Sequence, residues 1–284
     1  MNRRKFINNS TLTLSGLLLG NLAFGKISPN IPSLVSVSGG QPEEMYLKGI
    51  REFGGIEQFV KKNDRVVIKP NMATNSTPDQ HLTTNPELIK RIIEQCYEAG
   101  AREVDVFEHT IDPWAKCYKN SGIERVAKDA GCRVLPANEE FYYSEIQKPQ
   151  ASVLRKIKLH NSLLGSDVII NLSVFKPDVE TGISGAIKNL MGCTWEKEFY
   201  TKFGMETCLA EFLYYINPEL NITELYAEVG TPQLIISNDI VAADSYASKL
   251  NNTPLNPMNH VLIAEKLGFG KSQLSGLDVK KLSL

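Results

Sequence analysis

The 284-residue chain has only five cysteines and four histidines, and neither set falls at metal-ligand spacing. Cys96, Cys117, Cys132, Cys193 and Cys208 never form a C-x-x-C pair, which excludes a zinc ribbon and a ferredoxin-type iron–sulfur motif. His81, His109, His160 and His260 form no H-x-x-x-H or H-E-x-x-H, so a metal site would need ligands meeting from separate strands, and the metal stays unassigned. A basic tract is also missing, and the formal net charge is −1. That balance lacks the cationic footprint of a nucleic-acid binder. The apolar run from Thr11 to Leu22 is diluted by Thr, Ser and Gly and is too short to span a hydrocarbon core of about 30 Å, so no transmembrane span is expected. Internal repeats, the P-loop Gly-Lys-Ser/Thr, the dinucleotide fingerprint and the nucleophile elbow are all absent.

What is present begins at Met1-Asn2-Arg3-Arg4-Lys5-Phe6-Ile7, an arginine pair ahead of a bulky apolar dipeptide and a mildly apolar run. This pattern reads as a twin-arginine export signal over residues 1–25. The small-x-small site Ala23-Phe24-Gly25 places cleavage near Gly25. Residues 26–32 form a polar, proline-containing linker, and 33–284 an α/β domain. The expected location is therefore the periplasm, and the export machinery is the first expected partner. That machinery carries folded chains, often with a cofactor already inserted, so the signal points to a cofactor; fast folding alone is the other explanation. Losing Arg3, Arg4 and Lys5 with the signal takes the net charge from −1 to −4. Because folding precedes export, the odd number of cysteines is expected to be mostly free and buried.

From Ser33 onward, apolar periodicity alternates between strand and helix. Strands are expected over Ser33–Ser38, Arg65–Lys69, Val104–Phe107, Cys132–Leu135, Val153–Leu159, Asp167–Leu172 and Leu234–Ser237. Helices are expected to open at Pro42, at Asn85-Pro86, across Gly122–Ala130, at Gly185–Met191, over Ile240–Leu250 and near Asn259–Leu267. Strand-helix-strand units of this kind are right-handed and give parallel strands. The expected fold is α/β: a mostly parallel sheet with helices on both faces, with a lobe boundary near Gly165.

In an open parallel sheet, ligands bind beyond the carboxyl ends of the strands. The first buried strand delivers Lys69 and Asn71, the next Glu108 and His109, and a third Asn171 and then Lys176. Lys, Asn, Glu and His gathered at three strand ends exceed what a structural edge needs. Lys69 would hold an anion, and His109 or Glu108 would move a proton. The run Thr181-Gly182-Ile183-Ser184-Gly185-Ala186-Ile187-Lys188-Asn189 offers glycines for close backbone approach and a helix start whose free N–H groups suit an anion, with Lys188 adding charge. Asp244 and Glu224 are further carboxylates for acid/base work, while Asp239 sits where a helix N-cap is expected.

The segments Val66-Val67-Ile68-Lys69-Pro70-Asn71, Thr84-Asn85-Pro86-Glu87-Leu88, Ser166-Asp167-Val168-Ile169-Ile170-Asn171, Gly185-Ala186-Ile187-Lys188-Asn189-Leu190-Met191-Gly192 and Ile240-Val241-Ala242-Ala243-Asp244 together resemble the domain of unknown function 362 family, from about Ser33 to Gly270. The resemblance implies an α/β fold, twin-arginine export and a redox association, and it does not imply a reaction. Many members carry a ferredoxin-like module; no such motif stands in this sequence, so the resemblance implies a separate iron–sulfur protein as partner. The chain departs from the family where Lys176 is followed by Pro177-Asp178 rather than by histidine, and where Glu224-Leu225-Tyr226 replaces an Asp-Ala-Tyr or Asp-Gly segment.

Two readings stand. One is an exported enzyme or redox protein whose cleft, lined by Lys69, Asn71, Glu108, His109, Lys176, Gly185, Lys188 and Asn189, binds an anionic small molecule or an unidentified cofactor. The other is a non-catalytic binding or accessory subunit that has lost the family's metal or cluster ligands.

Overall fold

The computed structural model describes residues 31–226 and 230–284. The export signal, its cleavage site and nearly all of the linker lie outside the described residues. In chain order the elements are β1 (Leu34–Ser38), α1 (Pro42–Glu52), β2 (Arg65–Lys69), α2 (Pro86–Glu98), β3 (Glu103–Val106), α3 (Trp114–Asn120), α4 (Ile123–Asp129), β4 (Arg133–Val134), β5 (Tyr143–Gln147), β6 (Lys156–His160) and α5 (Asn161–Leu164). They continue with β7 (Val168–Asp178), β8 (Gly182–Ser184), α6 (Ala186–Asn189), α7 (Glu198–Phe203), α8 (Met205–Phe212), β9 (Leu220–Leu225), β10 (Gln233–Ser237), α9 (Ile240–Leu250), α10 (His260–Lys266) and β11 (Val279–Ser283).

The main sheet has the order β11-β1-β10-β9-β7-β2-β3-β4. β9, β7, β2, β3 and β4 are mutually parallel, as are β1 and β11. β10 runs against both of its neighbours. Its connection from β9 is too short to hold a crossover helix, so the two strands pair antiparallel. The sheet is thus mostly parallel, with helices on both faces as the alternating pattern predicts. Val66, Ile68, Val104, Val106 and Ile170 pack with apolar residues of α1, α2 and α4 on one face. Val67, Phe107, Ile187, Leu190, Leu209 and Val241 form the core of the other, under α6, α8, α9 and α10.

Local sequence explains the principal elements. Asn85 caps α2 through Oδ1, which accepts from the Glu87 and Leu88 amides, and Pro86 occupies the first turn, where its missing N–H costs nothing. Asp239 caps α9 in the same way, accepting from Ala242 N. The strand expected over Val153–Leu159 forms as Lys156–His160, and it leaves the main sheet to pair antiparallel with β5. β7 runs past the sheet edge and turns into an antiparallel hairpin with β8, which lifts Lys176 and Asp178 above the carboxyl edge.

Candidate functional site

Three strand ends and one turn build the floor of a cleft. β2 ends in Lys69, and Pro70 cannot extend the ladder, so Asn71 to Thr74 run out over the edge. Glu108 and His109 follow β3, and the His109 amide donates to Gly192 O at 3.1 Å. The cleft encloses about 210 Å³ and is lined by Asn71, Glu108, His109, Lys176, Asp178, Lys188, Asn189 and Lys197, among others. Six of the residues expected from the sequence thus share one cavity.

Lys69 and Gly185 do not line it. Lys69 is fully buried beneath the floor, where Nζ donates to Glu108 Oε2 at 2.7 Å and to Pro70 O at 2.7 Å. The Glu108 carboxylate also accepts from Met72 N at 3.2 Å, while its Oε1 has no partner. The expectation that Lys69 grips a ligand anion is corrected: its charge is spent on Glu108. Gly192 packs directly over this pair, and a Cβ there would collide with Glu108 Oε1 and Lys69 Cε.

The Gly185 helix start is corrected in the same sense. Asp244 Oδ1 accepts from Ala186 N at 2.5 Å and Oδ2 from Ile187 N at 2.9 Å. The N–H groups expected to face a ligand are therefore taken by a fully buried carboxylate. Gly185 is required because a Cβ would occupy the place of the Asp244 carboxyl. Burial raises the Asp244 pKa, and the two amides together with His260 oppose that rise.

Lys188 falls within the first turn of α6, as expected, but its amine is held by Asp178 at 2.7 Å and lies 3.4 Å from Thr181 Oγ1. Burial alone would raise the Asp178 pKa; hydrogen bonds from Lys188 and Thr181 overcome it and hold the carboxyl at about 2. Asn189 Nδ2 donates to Asn171 Oδ1 at 2.8 Å, and Asn171 Nδ2 donates to Asn221 Oδ1 at 3.1 Å and Ala186 O at 2.9 Å. This buried amide ladder fixes α6 on β7 and β9.

The groups left for chemistry are His109, Lys176 and Lys197. His109 Nδ1 lies 2.8 Å from Thr194 O. A carbonyl only accepts, so Nδ1 carries the proton, and Nε2 of the neutral ring keeps its lone pair. The ring stacks on Trp195 at 5.0 Å with an interplanar angle of 5°. Burial, then the charges of Lys197 and Lys69, lower the His109 pKa and keep the ring neutral at pH 7. The Lys176 amine makes no hydrogen bond or ion pair among the described residues, and Lys197 Nζ donates to His109 O at 3.1 Å. Burial lowers both amine pKa values, opposed by Asp178 at Lys176 and by Glu108 at Lys197. Lys197 was not legible in the sequence: it precedes α7 in an irregular stretch with no periodicity to mark it. Among the described residues, no three His, Cys, Asp or Glu side chains cluster as a metal site would require. All five cysteines are free and buried.

Comparison with known proteins gives a solved structure, a lactate racemase apoprotein from Thermoanaerobacterium thermosaccharolyticum, with a TM-score of 0.53 and 11% identity. The match covers 76% of this chain and 56% of that one, and it is a likeness of fold. The thylakoid-associated protein sll1697 of Synechocystis sp. is 24% identical over 144 residues, which make up 51% of this chain. The chain thus matches less than half of that relative, 43% of its length. Residues 66–249 match the domain of unknown function DUF362, and the chain belongs to that family.

Proposed function

We propose that this cleft binds a small anionic molecule, with Lys176 and Lys197 as the cations and His109 Nε2 as the base that accepts its proton. The carrying observation is the contrast among the four lysines. Lys69 and Lys188 are neutralised by Glu108 and Asp178, whereas Lys176 and Lys197 line the cavity with no ion pair to a carboxylate among the described residues. A partly desolvated amine gains most from an anion, because neither water nor a carboxylate satisfies it. Export by the twin-arginine route and pairing with a separate iron–sulfur protein belong to the same reading. Arg3-Arg4 supports the first and the family resemblance the second.

Calorimetric titration with oxalate, pyruvate and inorganic phosphate tests the anion site. Replacing Lys197 by Ala is expected to weaken the preferred anion by about 1.5–3 kcal/mol, the range for a charge-assisted hydrogen bond. Equal affinity in both proteins would overturn the site. Solvent-deuterium exchange into pyruvate, lost in His109→Gln, separates a working base from a passive pocket. Binding without His109-dependent exchange points to the second reading, a non-catalytic binding subunit, which the internal pairing of Lys69 and Lys188 favours. Cell fractionation of an Arg3→Lys, Arg4→Lys variant tests the twin-arginine route, and normal arrival of the variant in the periplasm would count against that route.

A further inference from the structure

A larger cleft, of about 690 Å³, opens on the other side of Lys176, between β7, the end of β9 and the last turn of α9. We propose that it is a second ligand site, which takes a flat aromatic carboxylate. Its wall is a ring held from several directions. Tyr226 stacks on His81 at 3.9 Å with an interplanar angle of 16°. The Tyr226 hydroxyl donates to Glu224 Oε2 at 2.5 Å, and Glu224 Oε1 in turn accepts from Asn85 N at 2.9 Å. His81 reaches the stack from a left-handed backbone, with φ of 55°, a conformation unfavourable for a non-glycine residue. A capping box between Thr77 and Gln80 and the His81 N to Pro78 O bond hold that turn in place.

Such a wall is pre-organised for a planar ligand: ring stacking is favourable, and the Tyr226 ring, held by Glu224 and His81, has little rotamer freedom to lose on binding. Phe175, Pro177 and Leu82 extend it with apolar surface. Opposite polarity is supplied by Lys176, which lines both clefts and so serves one anion at a time, its amine having no hydrogen-bond partner among the described residues, and by Asn251 and Asn252. An aromatic ring bearing one carboxylate answers both demands, a π face against Tyr226 and an anion beside Lys176.

The test uses the full chain with 2-naphthoate as probe and cyclohexanecarboxylate as its saturated counterpart, in calorimetric titrations. Wild type is expected to prefer 2-naphthoate by about tenfold, the scale of one stacking contact. Tyr226→Leu should abolish that preference. Leu82→Trp, at a wall residue already 40% exposed and so tolerant of change, should block the probe if Tyr226→Leu fails to fold. Lys197→Ala lies in the first cleft only and should leave 2-naphthoate affinity unchanged. The proposal is overturned by absence of binding, by equal affinity for the two acids, or by a probe that survives Leu82→Trp and is lost in Lys197→Ala.

Discussion

Lys69 and Glu108 meet at 2.7 Å beneath the cleft floor, with side chains 0% and 2% exposed. An ion pair this deep adds little net stability, since desolvating both charges offsets their attraction, but breaking it strands a charge. Lys69→Met is therefore expected to cost about 3–5 kcal/mol in urea denaturation, more than loss of an exposed lysine. The double variant Lys69→Met, Glu108→Gln removes both charges and keeps an acceptor for Met72 N, so it should recover much of that loss. A Lys69→Met protein with the wild-type midpoint would show that the pair is not coupled.

Asp244 does for α6 what a bound anion was expected to do. Asp244→Asn keeps one acceptor but turns an amide donor toward a backbone N–H, so it should destabilise by about 1–3 kcal/mol. Because α6 carries Lys188 and Asn189, the variant should also loosen the cleft and weaken anion binding. Gly185→Ala attacks the same contact from the other side. The double variant should then cost less than the sum of the singles, which a double-mutant cycle reads directly. Strict additivity would separate Gly185 from Asp244.

Legibility in the sequence followed from how each residue is surrounded. β2 and the start of β7 were readable because strands buried on both faces become continuous apolar runs, Val66-Val67-Ile68 and Val168-Ile169-Ile170. β9 was not, although all six of its residues are buried. Its polar residues are satisfied across the ladder by polar residues of β7: Asn221 pairs with Asn171 at 3.1 Å and Thr223 with Ser173 at 2.9 Å. Read alone, Asn221-Ile222-Thr223-Glu224 looks like a half-exposed segment. The same blindness affects charge. A lysine after a strand is visible in the sequence, but whether a carboxylate pairs with it, as Glu108 does with Lys69, or no ion pair forms among the described residues, as for Lys176, depends on partners brought in by the fold.

Glu224 gives the clearest dependence on pH. Burial raises its pKa from the ordinary 4.5 to about 7, against the hydrogen bonds from Tyr226 and Asn85, which lower it. Between those values the folded protein holds a proton that the unfolded chain has released, so stability falls as pH rises through the window. The contribution is fully present below pH 4.5 and lost above about 7. At roughly 1.4 kcal/mol per unit, the loss totals about 3 kcal/mol. His109 and His160, whose pKa values burial lowers, act in the opposite direction on acidification. Their contribution is shared by wild type and variant and cancels in the difference. Glu224→Gln stays neutral throughout and can still accept through Oε1. Urea midpoints of the two proteins should therefore lie closest near pH 4.5 and diverge as pH rises to 7.5, with Glu224→Gln becoming the more stable. A constant difference across that range would mean that Glu224 titrates as an ordinary carboxylate despite its burial.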